Sequence, residues 1–168
     1  MRRRLFDLFW ICLLFLGCRP VVKFPPEPQV SFISLEKIDN GTPIDDKATL
    51  ILYFRDGDGN IGLSPEENAP PFDTGSVYKD NFFVKYYAKR QGEFVSFPEF
   101  AFNARLPHFS SSNNSEALEG EIKYMLSIRN PLATAPNKDT IKFECWLVDR
   151  DLNESNHVFT SEIEVVNH

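Results

Sequence analysis

Two short acidic segments carry the residues whose types and spacing are best suited to chemistry. The first, Phe54-Arg55-Asp56-Gly57-Asp58-Gly59-Asn60-Ile61-Gly62, sets an Asp or Asn at every second position with glycines between them. Calcium takes about six to eight hard oxygen ligands, and glycine permits the tight backbone that aims alternate carboxylates at one ion. Asp56, Asp58 and Asn60 are therefore candidate metal ligands. Counted as an EF-hand from Asp56, the loop places Glu67 at the closing acidic position but puts Ile61 where glycine is required. The segment before it also alternates like a strand. An EF-hand is excluded on both grounds, whereas an EF-hand-like loop on a β scaffold is not.

The second segment, Asp149-Arg150-Asp151-Leu152-Asn153-Glu154-Ser155-Asn156, again follows a long apolar-alternating run. If the two preceding strands end at the same pole, Asp149 and Asp151 face Asp56 and Asp58, and the expected cofactor is Ca2+. Asp, Asn and Gly are also the ordinary residues of solvated turns, so each loop has a second reading without an ion.

Catalysis finds less support. Paired carboxylates can serve a hydrolase when an apolar pocket raises one of them, but neighbours on a Gly-rich turn show no such pocket in the sequence. His108, His157 and His168 stand outside any H-E-x-x-H, G-x-S-x-G or Cys-His arrangement. The chain is read as a non-enzyme, with a hydrolase using the loop carboxylates as the alternative.

The elements that must position these loops are strands. From Gln29 onward the apolar period is two. Val30, Phe32, Ile33 and Leu35 open a first strand; Ala48, Leu50, Leu52 and Phe54 alternate with Thr49, Ile51, Tyr53 and Arg55 in a second; 82–88 forms a third and 94–97 a short fourth. Ile122, Tyr124, Leu126 and Ile128 form the next, Ile141, Phe143, Cys145 and Leu147 another, and 157–166 closes the chain. Turn-forming clusters fall at 39–43, 64–71, 110–115 and 130–139, and no long amphipathic helical stripe appears. The expectation is an all-β, antiparallel sandwich of immunoglobulin or fibronectin type with about seven strands, spanning 29–168. The aromatic segment 94–109, FVSFPEFAFNARLPHF, is either a surface patch for a partner or part of the core.

The start of the chain reads differently. Arg2, Arg3 and Arg4 precede an apolar run at 5–17, interrupted once by Asp7 and short for a membrane span at 1.5 Å per residue against a core of about 30 Å, so cleavage is the expectation and an uncleaved hydrophobic anchor the alternative. This is the shape of a signal peptide. It ends on Phe15-Leu16-Gly17-Cys18, which resembles the lipobox of bacterial lipoproteins, in which the cysteine is lipidated and becomes the new N-terminus. The expected organisation is a signal peptide at 1–17, a lipidated Cys18 with a Pro-rich tether at 18–28, and the β domain. Beyond the leader, fifteen basic and twenty-three acidic residues make the domain acidic, which argues against nucleic acid as a partner. Cys145 is the lone cysteine of the domain, so no internal disulfide can form; it is expected to be a small buried hydrophobe.

The loop FRDGDGNIGL, followed by NFFVKYYAKRQGEF, LEGEIKY and KFECWLVDRDLNESN, resembles a family of Bacteroidota lipoproteins with a DGDGDIG-type loop and a late D-R-x-L-N-x-S-N segment. That resemblance implies an immunoglobulin-like domain held to the cell envelope and supplies no reaction; Arg19 rather than Asp follows Cys18, so an inner-membrane retention signal is missing and the outer membrane is the expected location. The functional expectation is a lipid-anchored, non-catalytic envelope protein that binds a protein or glycan partner and carries a structural calcium site. A purely structural component without metal is the alternative.

Overall fold

Residues that alternate apolar and polar become strands here because one face is buried and the other solvated. The structure, a computed structural model, describes residues 24–108, 117–129 and 137–167. The expected leader, Cys18 and the first part of the tether lie outside these residues, as do the turn cluster at 110–115 and most of the one at 130–139; the last three residues of the latter, 137–139, are strand rather than turn. Among the described residues the elements are β1 (Gln29–Lys37), β2 (Lys47–Asp56), β3 (Phe82–Arg90), β4 (Glu93–Ala101), β5 (Leu118–Ser127), β6 (Asn137–Leu147), β7 (Val158–Phe159) and β8 (Ile163–Asn167), with one 3-10 turn at Val77–Lys79. The protein is all-β, and no helix among the described residues is long and apolar enough to cross a membrane.

Two antiparallel sheets form. One has the order β1-β2-β5; the other runs β4-β3-β6-β7, with β8 also pairing β6. Ala48, Leu50, Leu52 and Phe54 of β2 point inward with Ile122 and Leu126 of β5, against Phe82, Val84, Tyr86 and Ala88 of β3 and Ile141, Phe143, Cys145 and Leu147 of β6. Phe82 and Tyr124 meet edge to face across the gap, their centroids 5.3 Å apart. A single core between the sheets makes this a β-sandwich.

Among the described residues eight strands stand where about seven were expected, because the closing run divides. Thr160 is buried, its hydroxyl accepting from the Phe143 N–H at 3.0 Å while its own N–H donates to the Phe143 carbonyl at 2.9 Å. It occupies a ladder position with its side chain, separating β7 from β8. The aromatic segment is half-buried: Phe97, Phe100 and Phe102 are partly covered and pack against the core, with their rings about Tyr86, while Val95 is exposed. Cys145 is fully buried and free, and burial pushes its thiol up to about 12.

The 25 residues from Gly57 to Asn81 that join the two sheets are fastened to the domain at several points. Ile61 and Leu63 are buried apolar anchors. Arg105 donates to the carbonyls of Lys79, Ser64 and Glu67. The Asn81 carboxamide makes reciprocal bonds with the backbone of Leu106. These attachments hold the loop that begins with the acidic run in one place.

Candidate metal centre

β2 and β6 belong to different sheets but end at the same pole, so the two acidic loops meet. Asp56, the last residue of β2, is fully buried, and Asp149 lies two residues past β6 and is nearly so. One carboxylate oxygen from each of Asp56, Asp58 and Asp149 lies within 4.8 Å of the others. Oxygens on opposite sides of a calcium ion, each at about 2.4 Å, are about 4.8 Å apart, so the spacing suits three ligands of a single hard cation.

Local chemistry explains the shape of the first loop. The Ile61 N–H donates to Asp56 Oδ2 at 3.1 Å, turning the chain back over the end of the strand. Gly59 takes a φ of 68°, a left-handed conformation that costs glycine little. Asp56 Oδ1, by contrast, is buried with no hydrogen-bond partner, and so is Asn60 Oδ1. Such orphaned oxygens are rare and costly in folded proteins. Both belong to the acidic pole: Asp56 is itself one of the three converging carboxylates, and Asn60 is bonded to a second, Asp58.

The electrostatics agree. Burial first, and then the charge of Asp58 beside it, raise the Asp56 carboxyl to about 7; Asp149 adds to the same push. Asp149 is also held above the ordinary carboxylate range, chiefly by burial. Like charges kept together in a desolvated place disfavour ionisation, and a bound cation reverses that preference. The donors are all oxygen, which fits hard ions of the calcium, magnesium or manganese type.

The five residues expected from the sequence are thus divided. Asp56, Asp58 and Asp149 come together. Asn60 sits beside them, its Nδ2 donating to Asp58 at 3.2 Å and to Asp151 at 2.9 Å. Asp151 is exposed and joins the group through that bond. Glu67 points elsewhere, accepting from the Ser64 N–H at 2.6 Å and pairing with Arg150 at 3.6 Å.

Arg150, not among the residues expected from the sequence, ties the loops together. Its Nε donates to the Asn60 carbonyl at 3.1 Å, and one terminal nitrogen lies 2.7 Å from His108 Nε2. Its position between two aspartates was the one available signal. Asn153 was also missed: its backbone N–H and its Nδ2 donate to the two oxygens of Asp149 at 2.8 and 2.9 Å. An Asn four residues after an Asp is a common turn pattern, too general to mark a function.

Comparison with known protein families, with curated proteins and with solved structures finds no match to this chain. Its functional reading therefore rests on the geometry of the acidic pole. His157, which stands outside any catalytic arrangement in the sequence, needs separate mention. Its ring stacks on Trp146 with centroids 4.4 Å apart, between Glu144 at 2.8 Å and Glu154 at 2.6 Å. Phe83 covers the indole as well, at 5.1 Å and nearly parallel. Both rings flanking Trp146 come from this chain, which makes the stack a structural feature of the sheet's outer face.

Proposed function

We propose that the protein is a non-catalytic, lipid-anchored domain of the cell envelope, an immunoglobulin- or fibronectin-like sandwich whose acidic pole binds a structural calcium ion. The observation that carries the metal reading is the buried Asp56 carboxylate, with one oxygen unpartnered and two further carboxylates within 4.8 Å. Calcium is favoured over magnesium because the donors lie on two separate loops, and calcium tolerates such irregular, flexible cages. The strand order supports the fold reading, since the chain changes sheets between β2 and β3, between β4 and β5, and between β5 and β6. Lipid anchorage is supported by the signal-peptide shape and by Phe15-Leu16-Gly17-Cys18, and the outer membrane by Arg19 standing where an inner-membrane retention signal would have Asp.

The phenylalanines of 94–102 are partly covered by the core, which leaves the loops as the natural candidates to meet a protein or glycan partner. The deciding experiment is thermal unfolding with excess calcium and then with chelator, on the wild type and on Asp56→Ala and Asp149→Ala. The reading expects stabilisation by calcium that both substitutions abolish; the absence of any calcium shift in the wild type would overturn the metal site. Labelling with radioactive palmitate, lost in Cys18→Ser, checks the anchor independently.

A further inference from the structure

The chain enters the domain across the acidic pole. Phe24 and Pro25 lie against Gly57, the residue between Asp56 and Asp58. The Gly57 N–H donates to the Pro25 carbonyl at 2.9 Å, and a Cβ at Gly57 would overlap the carbonyl oxygens of both Phe24 and Pro25. Only glycine permits this approach. Arg55, next to Asp56, sets its guanidinium 5.4 Å from the centre of the Phe24 ring and donates from Nε to Gln29. The second acidic loop grips the same segment a few residues later. Asn156 accepts from the Val30 N–H at 3.0 Å and donates to the Val30 carbonyl at 2.9 Å. Pro28, between these attachments, is buried.

Residues 24–30, the last two of which begin β1 beside β2, are therefore gripped once by each acidic loop as well, and these are the loops whose carboxylates converge. We infer that a cation bound by Asp56, Asp58 and Asp149 is a clasp on the N-terminal segment, holding both loops in place so that 24–30 stay docked. Without the ion, repulsion among the three carboxylates loosens the loops, and the segment lifts from Gly57. The inference rests on the metal reading, for which the buried, unpartnered oxygen of Asp56 is the independent support. Cys18 lies six residues before Phe24, so the clasp would set where the chain leaves the domain toward its anchor.

Linkage makes the idea testable from both ends, because an ion that tightens the segment must be bound more tightly when the segment is docked. The full-length protein in detergent would be titrated with calcium chloride by calorimetry, and hydrogen exchange measured on the same samples with calcium and with chelator. The clasp expects calcium to bind and the amides of Glu27, Val30 and Gly57 to exchange roughly tenfold more slowly with the ion. Calcium binding with unchanged exchange at those amides would overturn the clasp and leave the metal site standing. No binding heat and no calcium-dependent unfolding shift would remove the metal reading, and the clasp with it. Phe24→Ala touches no ligand yet weakens the docked segment, so its calcium affinity should fall about fivefold; an unchanged affinity would also overturn the clasp.

Discussion

The loop after β2 leaves Asp56 Oδ1 without a partner, whereas the loop after β6 gives Asp149 an N–H at one oxygen and a carboxamide at the other. The first loop bends at Gly59, with a φ of 68°; the second bends at Leu152, with a φ of 65° that a side chain adopts only with strain. One loop has relaxed backbone and a starved carboxylate, and the other has strained backbone and a satisfied one. A site divided this way is not complete in either loop. The second loop is built by its own hydrogen bonds before any ion arrives, and the first brings the oxygen that needs one.

The sharpest way to break this contrast is to remove Asp149. Asp149→Ala takes both acceptors from Asn153, and charge-assisted bonds of this kind make a loss of about 2–3 kcal/mol the expected result, even in chelator. Urea unfolding measures it. A calcium effect of comparable size is expected in the wild type, about 2.7 kcal/mol when the ion stands at about one hundred times its dissociation constant. Asp56→Asn should behave in the opposite way from Asp149→Ala. It keeps an acceptor for the Ile61 N–H and removes a buried charge that its neighbours repel, so stability in chelator near neutral pH should rise by about 1 kcal/mol while the calcium response disappears. If Asp56→Asn were instead destabilising in chelator, the carboxylate would be structural in its own right and the contrast between the loops would fail.

The backbone half of the comparison has its own test, of smaller size. Gly59→Ala forces a methyl group into a left-handed turn and should cost about 1 kcal/mol or slightly more. Leu152→Gly relieves the same conformation in the other loop, offset in part by the greater freedom of glycine in the unfolded chain, so a gain of about 0.5 kcal/mol is expected. Denaturant midpoints of the pair should move in opposite directions. Movement in the same direction would show that Leu152 contributes contacts that outweigh its strain.

How much of this could be read from the sequence differs between the strands and the site. The alternation of Ala48, Leu50, Leu52 and Phe54 with more exposed neighbours was legible because a strand's period is local, and burial follows it in the structure. The division of the last strand was not, because it depends on Thr160 bonding to Phe143 seventeen residues away. The same limit applied to the metal centre. The types and spacing of Asp56, Asp58 and Asn60 were visible along the chain, and the meeting with Asp149 followed once two strands ended at one pole. The orphaned oxygen, the clamp from Arg150 and the approach of Pro25 to Gly57 are long-range contacts, and nothing in a local pattern encodes them. The aromatic segment 94–102 was ambiguous for a related reason: its phenylalanines do not keep a clean period, and only the position of Tyr86 beneath them partly covers Phe97, Phe100 and Phe102.

The smallest expected effect lies just past the second loop and tests whether its order extends outward through Glu154. Burial works against the charged form of His157, but the carboxylates of Glu154 and Glu144 outweigh it, and the imidazole is raised above its usual 6.5. Glu144 moves the other way: burial would raise it, yet bonds from Tyr87 and His157 hold it below its usual 4.5. The signs then set a window. Stability from the raised histidine is fully present below about 6.5 and is lost as pH climbs through the folded value; stability from the lowered glutamate is present above about 4.5 and is lost as pH falls through its folded value. Both contributions coexist only between those limits. His157→Gln should therefore cost most near pH 5.5, by less than about 1 kcal/mol because the ring is partly exposed, and the difference should shrink as pH approaches 9. Any cost that persists at high pH measures the lost stacking on Trp146 rather than the charge. A flat difference across the range would mean that the two glutamates do not hold the imidazolium, and that the order of the second loop stops before Glu154.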